Sequence, residues 1–376
     1  MFLLSFQERF VPISLVIVLV INLFSIGWKE RVHYFNKRKK YILLFISFYL
    51  VTVIGMLYTL NITEGLFDLE VKLSILLVPI FFLTSNVINK YSVFGLLNSF
   101  ITGASLSLGL QVVIAIVSYY YTLDTDVFFY TLFSYFHHPA YFAMYVNFAI
   151  ASLLVLIFHF KDKPQLRHFA LLGFLVIGVY QLSSRSGLLT LIFLAAYTIV
   201  YIVFPKLRWK RMMYAFFVLV LIIGVIIYPI VQYTNTVRAV DVTSSQSSSG
   251  VRIEMWKSSV SLIKDNFILG VGTGDVNREL QQGFAKDKVV RAVRDNLNAH
   301  NQFIQTQVGL GIVGLLALLG GLVYPFFVSV RKGKFLFPLF AIILGINFLT
   351  ESVLNTQAGV IYFAVLNSIL FITYED

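Results

Sequence analysis

The sequence lacks cysteine and contains few charged residues. None of its 376 residues is cysteine, which excludes disulfides and thiolate metal sites. Asp, Glu, Lys and Arg make up 12% of the chain, about half of the roughly 25% that soluble domains carry. Strand-like alternation of polar and apolar residues is missing too, which excludes an outer-membrane β-barrel. These absences indicate a helical membrane protein, because helices satisfy their own backbone hydrogen bonds within lipid.

Long apolar stretches make up most of the chain, which is 58% hydrophobic. About 20 helical residues cross the hydrocarbon layer, and on that basis we predict about eleven spans. They lie near 11–27, 41–60, 71–87, 92–121, 139–158, 168–183, 187–204, 212–232, 303–330, 335–350 and 357–373. The predicted fold class is therefore an all-α polytopic bundle of about 11–12 transmembrane helices. Segment 92–121 is long enough to tilt, or to break near Gly103 or Gly109.

The net charge of +11 follows the predicted topology. Basic residues concentrate in alternate loops, which contain Lys29, Arg31, Lys37 to Lys40, Lys90, Lys161, Lys163, Arg167, Lys206, Arg208, Lys210, Arg211, Arg331, Lys332 and Lys334. The positive-inside rule places these loops in the cytoplasm. The N-terminus, Arg185 and residues 233–300 then face outward. Because most of the charge is explained by topology, we expect membrane lipids as partners and no nucleic acid.

A mostly hydrophilic stretch at 233–300 divides the chain. We predict an N-terminal bundle of about eight spans at 1–232, an extracytoplasmic loop at 233–300 and about three spans at 301–376. Within the loop, 252–265 is predicted to be an amphipathic helix with Ile253, Trp256, Val260 and Ile263 on one face. A Ser-rich linker at 242–250 precedes it, a GVGTG turn at 270–274 follows it, and a second helix is predicted at 277–296.

Arg185 lies in the sequence SSRSG between two apolar segments with almost no loop. An arginine at that depth is costly in lipid and is functional by default. Its guanidinium binds phosphate oxygens in a bidentate manner and stays protonated, which suits a diphosphate. The alternative is an arginine that reaches out to lipid headgroups.

His300 closes the hydrophilic loop, immediately before a span. Its imidazole can accept a proton near neutral pH, as a general base requires. Arg252, Arg291 and Arg294 are nearby candidates for binding an anionic substrate, and Asn301 for fixing the imidazole or a substrate hydroxyl. The alternative is an interfacial histidine that only caps the following helix.

Three other sites are weaker candidates. His138, in the sequence HHP, lies at an outer loop-to-span junction and either binds substrate or caps a helix. Asp124 and Asp126 form a D-x-D pair that holds a metal in some membrane glycosyltransferases, although a solvated loop is the better interpretation. Residues 270–274 form either a tight turn or a backbone nest for phosphate.

Four segments together resemble the O-antigen ligase and polymerase superfamily. They are SSRSGLLTLIFL (183–194), RIEMWKSSVSLIKDNFILGVGTGDV (252–276), AHNQFIQTQVGLGIVGLLALLG (299–320) and LTESVLNTQAGVIYFAVL (349–366). Their order and the large outer loop between them are those of the family, over residues 170–370. HHPAYFAMY (137–145) extends the similarity into the first half.

The resemblance implies an inverting, metal-independent and cofactor-free glycosyltransferase at the periplasmic face of the bacterial inner membrane. It implies that the donor is an undecaprenyl-diphosphate-linked glycan and the acceptor a hydroxyl of lipid A core or of another glycan. By motif, Arg185 and Arg252 would hold the diphosphate, and His300 would be the catalytic base. The family usually has twelve spans, so our count of eleven leaves the side of the N-terminus open.

The acceptor separates two alternatives of the same chemistry, a ligase and a polysaccharide repeat-unit polymerase. A polysaccharide exporter or flippase belongs to a different class and would be expected to line its spans with charges. The predicted spans are nearly free of charge and the polar groups gather outside, which favours the glycosyltransferase.

Overall fold

The computed structural model describes residues 1–86, 90–159, 165–203, 213, 215, 219 and 248–372. Within these residues the regular structure is helical, and no strand is present. The fifteen described α-helices are α1 (Phe2–Phe6), α2 (Val11–Ser25), α3 (Trp28–Gly55), α4 (Ile62–Leu83), α5 (Lys90–Thr122), α6 (Tyr130–Phe133), α7 (Pro139–His159), α8 (Leu166–Gln181), α9 (Arg185–Val203), α10 (Ser248–Asp265), α11 (Val276–Lys286), α12 (Val290–Arg294), α13 (Gln302–Arg331), α14 (Leu336–Thr350) and α15 (Gln357–Ile372). The predicted all-α polytopic class is confirmed.

Ten of the eleven predicted spans correspond to described helices, and of the span predicted at 212–232 only residues 213, 215 and 219 are described. Five helices, α3, α5, α7, α9 and α13, are long and apolar enough to cross a membrane. The shorter helices α2, α8, α14 and α15 are apolar as well. The predicted division of the chain at residues 232 and 300 stays a prediction.

Helix boundaries differ from the predicted ones at three places. Helix α3 begins at Trp28, so the basic stretch predicted as a loop is its first three turns. Helix α4 begins at Ile62, where the side chain of Asn61 accepts a hydrogen bond from Glu64 N–H. Helix α5 runs without a break past Gly103 and Gly109. The predicted boundaries mark only the apolar part of a helix, whereas α3 and α4 extend beyond it into polar sequence.

The centre of the bundle is formed by α7, α14 and α15. Rings from the three helices pack together: the centroids of Phe148 and Phe340 lie 6.0 Å apart, and those of Phe340 and Tyr362 lie 5.9 Å apart. All three side chains are fully buried. The site described below lies at one end of these central helices.

Two buried arginines anchor the opposite, basic end of the bundle. Arg38 is 1% exposed and donates to the carbonyl oxygens of Leu83 and Ser85, at 3.2 and 3.0 Å. Arg31 donates to the hydroxyl of Thr84 at 3.2 Å. These acceptors lie at the C-terminal end of α4, where the helix dipole attracts positive charge.

Residues 248–300, called the outer segment after their predicted side of the membrane, fold around a small core of their own. Val251 and Met255 of α10 are buried with Leu280, Phe284 and Val289. The amphipathic helix predicted at 252–265 is present as α10, and two residues of its predicted apolar face, Ile253 and Val260, are 43% and 44% exposed. That exposed face is available to the membrane interface.

The single helix predicted at 277–296 is wrong. The structure has two short helices there, α11 and α12, separated at Asp287–Val289. Lys288 adopts a φ of 60°, which ends the first helix. Val289 N–H then bonds back to the carbonyl oxygen of Phe284, at 2.8 Å.

The chain between α10 and α11 enters the bundle at a break in α13. Gly311 has a φ of 60° and a ψ of −161°, and the turn around it is not helical. Backbone N–H groups of Val271 and Gly272 donate to the carbonyl oxygens of Val308 and Gly309, at 2.9 and 3.0 Å. Irregular backbone within a membrane protein requires such protein partners, because lipid offers none. The loop and the broken helix therefore satisfy each other.

Gly311 is the residue on which this junction depends. A Cβ added there would lie 2.2 Å from the carbonyl oxygen of Ile268, and its backbone angles suit glycine alone. We expect Gly311→Ala to destabilise the protein by roughly 1–3 kcal/mol or more. Thermal unfolding in detergent measures this. Gly345→Ala is the matched control, since nothing lies within 4 Å of a Cβ at that helical position. Equal stability of the two variants would contradict the assigned role of Gly311.

Candidate active site at the outer end of the bundle

His300 is held just outside the first turn of α13 by its neighbours. The side chain of Asn301 accepts hydrogen bonds from Phe303 N–H and Ile304 N–H, at 3.0 and 3.1 Å, and so caps the helix. His300 itself adopts a φ of 43°, and its N–H donates to the side chain of Asn298 at 2.9 Å. Asn301, and not His300, is therefore the capping residue.

Glu351 joins His300 to Arg252. One carboxylate oxygen lies 3.0 Å from His300 Nδ1, and the other accepts a hydrogen bond from Arg252 Nη2 at 2.8 Å. The Glu351 side chain is 10% exposed, whereas those of His300 and Arg252 are 25% and 29% exposed. With Nδ1 occupied, His300 Nε2 has no partner among the residues that the structure describes. One carboxylate thus orients the imidazole and the guanidinium, and both side chains stay partly exposed.

The surroundings of Glu351 keep it ionised. Burial raises the pKa of this carboxyl, but the hydrogen bond with His300 and the positive charge of Arg252 lower it by more. The charge of His138 also lowers this pKa. The net result is a pKa below the ordinary range of a glutamate. A charged Glu351 can stabilise His300 when the imidazole takes up a proton.

The packing of α7, α9 and α14 brings Arg185 and His138 to the same end. Near the end of α9, the hydroxyl of Tyr201 donates to the carbonyl oxygen of Gly333 at 3.2 Å, just before α14 begins. The two helices are therefore antiparallel, and the start of α9 lies level with the end of α14. Arg185, the first residue of α9, is exposed there.

Helix α7 runs parallel to α9. Its Asn147, in the third turn, donates to the carbonyl oxygen of Gly187 in the first turn of α9 at 3.0 Å, so the N-terminal parts of both helices lie side by side. His138, immediately before α7, consequently shares the end that carries Arg185 and Glu351. Five predicted or newly identified residues thus gather at one end of the bundle: His138, Arg185, Arg252, His300 and Glu351.

The other predicted candidates have local partners. Arg294 makes two hydrogen bonds with the carboxylate of Asp295, at 2.8 and 3.2 Å, and its side chain is 70% exposed. Arg291 pairs with the same carboxylate at 3.6 Å. Asn301 donates from its amide to the carbonyl oxygen of Leu349 at 3.2 Å, in addition to capping α13. These three residues support the outer segment or the loop that carries Glu351.

The segment before His300 is fixed from two sides. The indole N–H of Trp256 donates to the carbonyl oxygen of Ala299 at 2.9 Å, and Ala299 N–H donates to the side chain of Gln305 at 3.0 Å. Ala299 is fully buried. The position of His300 therefore depends on α10 and α13 together.

The GVGTG segment is a turn whose amide groups bind protein. In addition to the two bonds to α13, Thr273 N–H donates to the carbonyl oxygen of Gly55, and Gly274 N–H donates to the hydroxyl of Thr59 at 3.1 Å. A phosphate nest needs amide groups that point at a ligand, and these point at helices. The tight-turn interpretation fits the structure.

The acidic pair has a local role. Asp124 accepts a hydrogen bond from Asp126 N–H at 2.9 Å and caps the short 3-10 helix Thr125–Phe128. Within the described ranges, no group of three or more His, Asp or Glu side chains is placed to hold a metal ion.

Sequence analysis did not assign Glu351 to the site, although it lies in the quoted segment LTESVLNTQAG. The signal that could have identified it is the one used for Arg185, a charged residue at the end of an apolar span. Its partners lie 51 and 99 residues away in sequence, so only the fold reveals the contacts.

The geometry describes a helical membrane protein with a base, a carboxylate and arginines at one end of its bundle. Residues 169–319 match the family described as O-Antigen ligase. The chain therefore carries an O-antigen ligase family domain, and the predicted superfamily is confirmed. Arg185, Arg252 and His300 all lie within the match. This family comprises glycosyltransferase-like ligases and polymerases that act on lipid-linked glycans and acceptors. No curated protein matches the chain.

Replacing Glu351 by glutamine removes the charge that binds His300 and Arg252. Because the pKa of Glu351 is lowered in the folded protein, its ionised form stabilises the fold above the ordinary carboxyl range. That stabilisation is lost as the pH falls through the lowered pKa. At pH 7 we expect Glu351→Gln to lower stability by roughly 1–3 kcal/mol, with a difference from the parent protein that shrinks below about pH 4.

Thermal unfolding of the purified protein across this pH range tests the expectation. Glu254→Gln serves as the matched control, since it removes a carboxylate from the helix that carries Arg252. A loss in Glu351→Gln that is the same at every pH would show that the carboxylate is not held ionised by its partners.

Proposed function

We propose that the protein transfers a glycan from undecaprenyl diphosphate to an acceptor hydroxyl on the periplasmic face of the inner membrane. The observation that carries this proposal is the shared carboxylate of Glu351, bound to both His300 and Arg252. It couples a base for the attacking hydroxyl to a cation for the leaving diphosphate. Lipid A core is the proposed acceptor.

His300 is the proposed general base. Its Nε2 takes the proton of the acceptor hydroxyl while the hydroxyl oxygen bonds to the anomeric carbon. The imidazolium that forms is stabilised by Glu351 at Nδ1, as a carboxylate stabilises the histidine of a hydrolytic triad. Without that carboxylate the protonated ring would have no partner at its second nitrogen among the described residues.

Arg252 and Arg185 are the proposed diphosphate ligands. As the bond between the anomeric carbon and phosphate oxygen breaks, negative charge grows on the leaving diphosphate. Guanidinium groups stabilise it by charge-assisted, bidentate hydrogen bonds. Arg252 donates one hydrogen bond to Glu351, and a guanidinium has five N–H donors, so donors remain for phosphate. His138 is proposed as a further substrate contact at this end. The scheme uses no metal ion.

A polysaccharide repeat-unit polymerase shares this chemistry and is the second candidate, because the family comprises both activities. Because the two enzymes use different acceptors, gene deletions distinguish them. Deletion of a ligase leaves polymer on the undecaprenyl carrier, whereas deletion of a polymerase leaves acceptors capped by a single repeat. An exporter or flippase is disfavoured by the gathering of these charges at one end of the bundle.

The base is tested by replacing His300. General-base catalysis contributes about 10²–10⁴-fold, so His300→Ala should lose that much transfer activity while it still binds undecaprenyl diphosphate. His300→Gln keeps a hydrogen-bonding group but takes up no proton at neutral pH, and it should be nearly as inactive. Radiolabelled glycan transfer by purified protein measures both, and an active His300→Gln variant would make the residue a positioning one.

The diphosphate ligands are tested with charge-conserving variants. Arg252→Lys and Arg185→Lys keep a positive charge but lose the planar fork. Loss of one charge-assisted contact of about 1.5–3 kcal/mol corresponds to roughly 10- to 150-fold in rate, if the contact strengthens in the transition state. Arg294→Lys is the control, because that side chain pairs with Asp295. Parental transfer rates in both test variants would refute the assignment.

The orientation in the membrane is tested with single cysteines in this cysteine-free chain. Gln282 of α11 and Lys39 of α3 are exposed and lie in the outer segment and on the basic end. An impermeant maleimide should label Gln282→Cys in intact spheroplasts, and Lys39→Cys only after the membrane is ruptured. The reverse pattern would place the site in the cytoplasm and end the proposal.

A further inference from the structure

A polar cavity lies beside the candidate active site. It has a volume of about 160 Å³ and is lined by α4, the turn at Thr273–Gly274, the start of α11, the first turns of α13 and the 3-10 turn at Val353–Asn355. A cavity of about 150 Å³ accepts benzene, so this one has room for one six-membered ring. The proposed reaction of the His300 site does not use it.

The charges in this cavity favour a neutral ligand. Lys72 is 5% exposed and forms an ion pair with Asp68 one turn earlier on α4. Glu64, a further turn back, also lines the space. The side chains therefore carry a net negative charge, which opposes a phosphate or a carboxylate. A ligand with many hydroxyl groups meets no such penalty.

Hydrogen-bonding groups in the cavity are available for hydroxyls. Gln305 is 9% exposed; its carbonyl oxygen accepts from Ala299 N–H at 3.0 Å, and its amide Nε2 has no partner in the described part of the chain. Its N–H groups can therefore donate to a ligand hydroxyl in place of solvent. The side-chain amides of Asn277 and Asn355 also line the cavity, and they too make no hydrogen bond within the described residues. Amides both donate and accept, as sugar hydroxyls do.

The cavity wall is bonded to both segments of the candidate active site. Gln305 holds Ala299, the residue before His300. Gln302 accepts a hydrogen bond from Leu354 N–H at 2.7 Å, three residues after Glu351. A ligand in the cavity therefore lies against residues that hydrogen-bond to the segments carrying His300 and Glu351.

We propose that this cavity binds a neutral pyranose ring of a glycan substrate. The ring size, the charge balance and the unused amides each favour a sugar. Phe67, which lines the same space, offers an apolar surface for the ring's C–H groups. That the ring belongs to a substrate rests on the proposed function, whereas the binding of a sugar in the cavity does not.

Saturation-transfer NMR on the full-length protein in nanodiscs tests the binding directly. The probes are the methyl glycosides of glucose, galactose and N-acetylglucosamine. Asn277→Trp fills the cavity from an exposed position on α11, and Gln282→Trp, exposed on the same helix outside the cavity, is the matched control. Asn355→Leu removes an amide at nearly constant volume.

We expect at least one glycoside to be saturated by the parent protein and by Gln282→Trp. In Asn277→Trp the signal should fall at least fivefold, and in Asn355→Leu the affinity should fall about 2- to 10-fold. The proposal is overturned if no glycoside is saturated, or if Asn277→Trp gives the parental signal. Failure of the parent protein to bind undecaprenyl diphosphate would instead count against the proposed function alone.

Competition identifies the substrate that supplies the ring. Displacement of the glycoside by undecaprenyl-diphosphate-linked glycan from native cells, but not by undecaprenyl diphosphate, assigns the ring to the donor. Displacement by lipid A core oligosaccharide instead assigns it to the acceptor, and displacement by none of these ligands would contradict the assignment to a substrate. Displacement by undecaprenyl diphosphate itself would place the diphosphate in the cavity and overturn the proposal.

Discussion

The hydrogen bonds of Glu351 are the interaction on which the candidate site depends. This carboxylate is buried at the end of α14 and holds Arg252 of α10 with one oxygen and His300 with the other. A buried carboxylate is stable there because both partners and His138 lower its pKa. The ion pair thus connects the membrane bundle to the outer segment at the point where the proposed chemistry occurs. Removing Glu351 would leave both Arg252 and His300 without this common partner.

The attachment of the outer segment to the bundle is a second constraint on the position of this ion pair. The outer segment is attached to the bundle through the break in α13 at Gly311, where loop and helix share backbone hydrogen bonds. Helix α10 ends just before that loop, and α13 begins just after His300. The same junction therefore sets the positions of Arg252 and His300 along the axis of the bundle. The hydrogen bond from the Trp256 indole to the carbonyl oxygen of Ala299 then fixes the residue before His300. Residues that support the fold and residues proposed to act in catalysis therefore lie close together within 252–311.

The sequence predicted much of the fold, because apolar length and charge distribution are local properties. It also indicated Arg185 and His300, which lie where polar and apolar sequence meet, and Arg252, which begins a family motif within the hydrophilic stretch. It did not reveal the pairing of Glu351, which depends on contacts across 51 and 99 residues. The break at Gly311 was equally invisible, because a glycine within an apolar run has no distinguishing pattern until the loop at Ile268 lies against it. The roles of Arg291 and Arg294 stay predictions; both pair with Asp295.

The central claim is that one carboxylate organises a base and a diphosphate ligand at the outer end of the bundle. A cryo-electron microscopy structure of the full-length protein in nanodiscs with undecaprenyl diphosphate tests it most directly. We predict phosphate oxygens within hydrogen-bonding distance of Arg252 and Arg185, with His300 still bound to Glu351 through Nδ1 and its Nε2 left for an acceptor hydroxyl. A diphosphate bound at the basic end near Arg31 and Arg38, or one that displaces Glu351 from His300, would contradict the account.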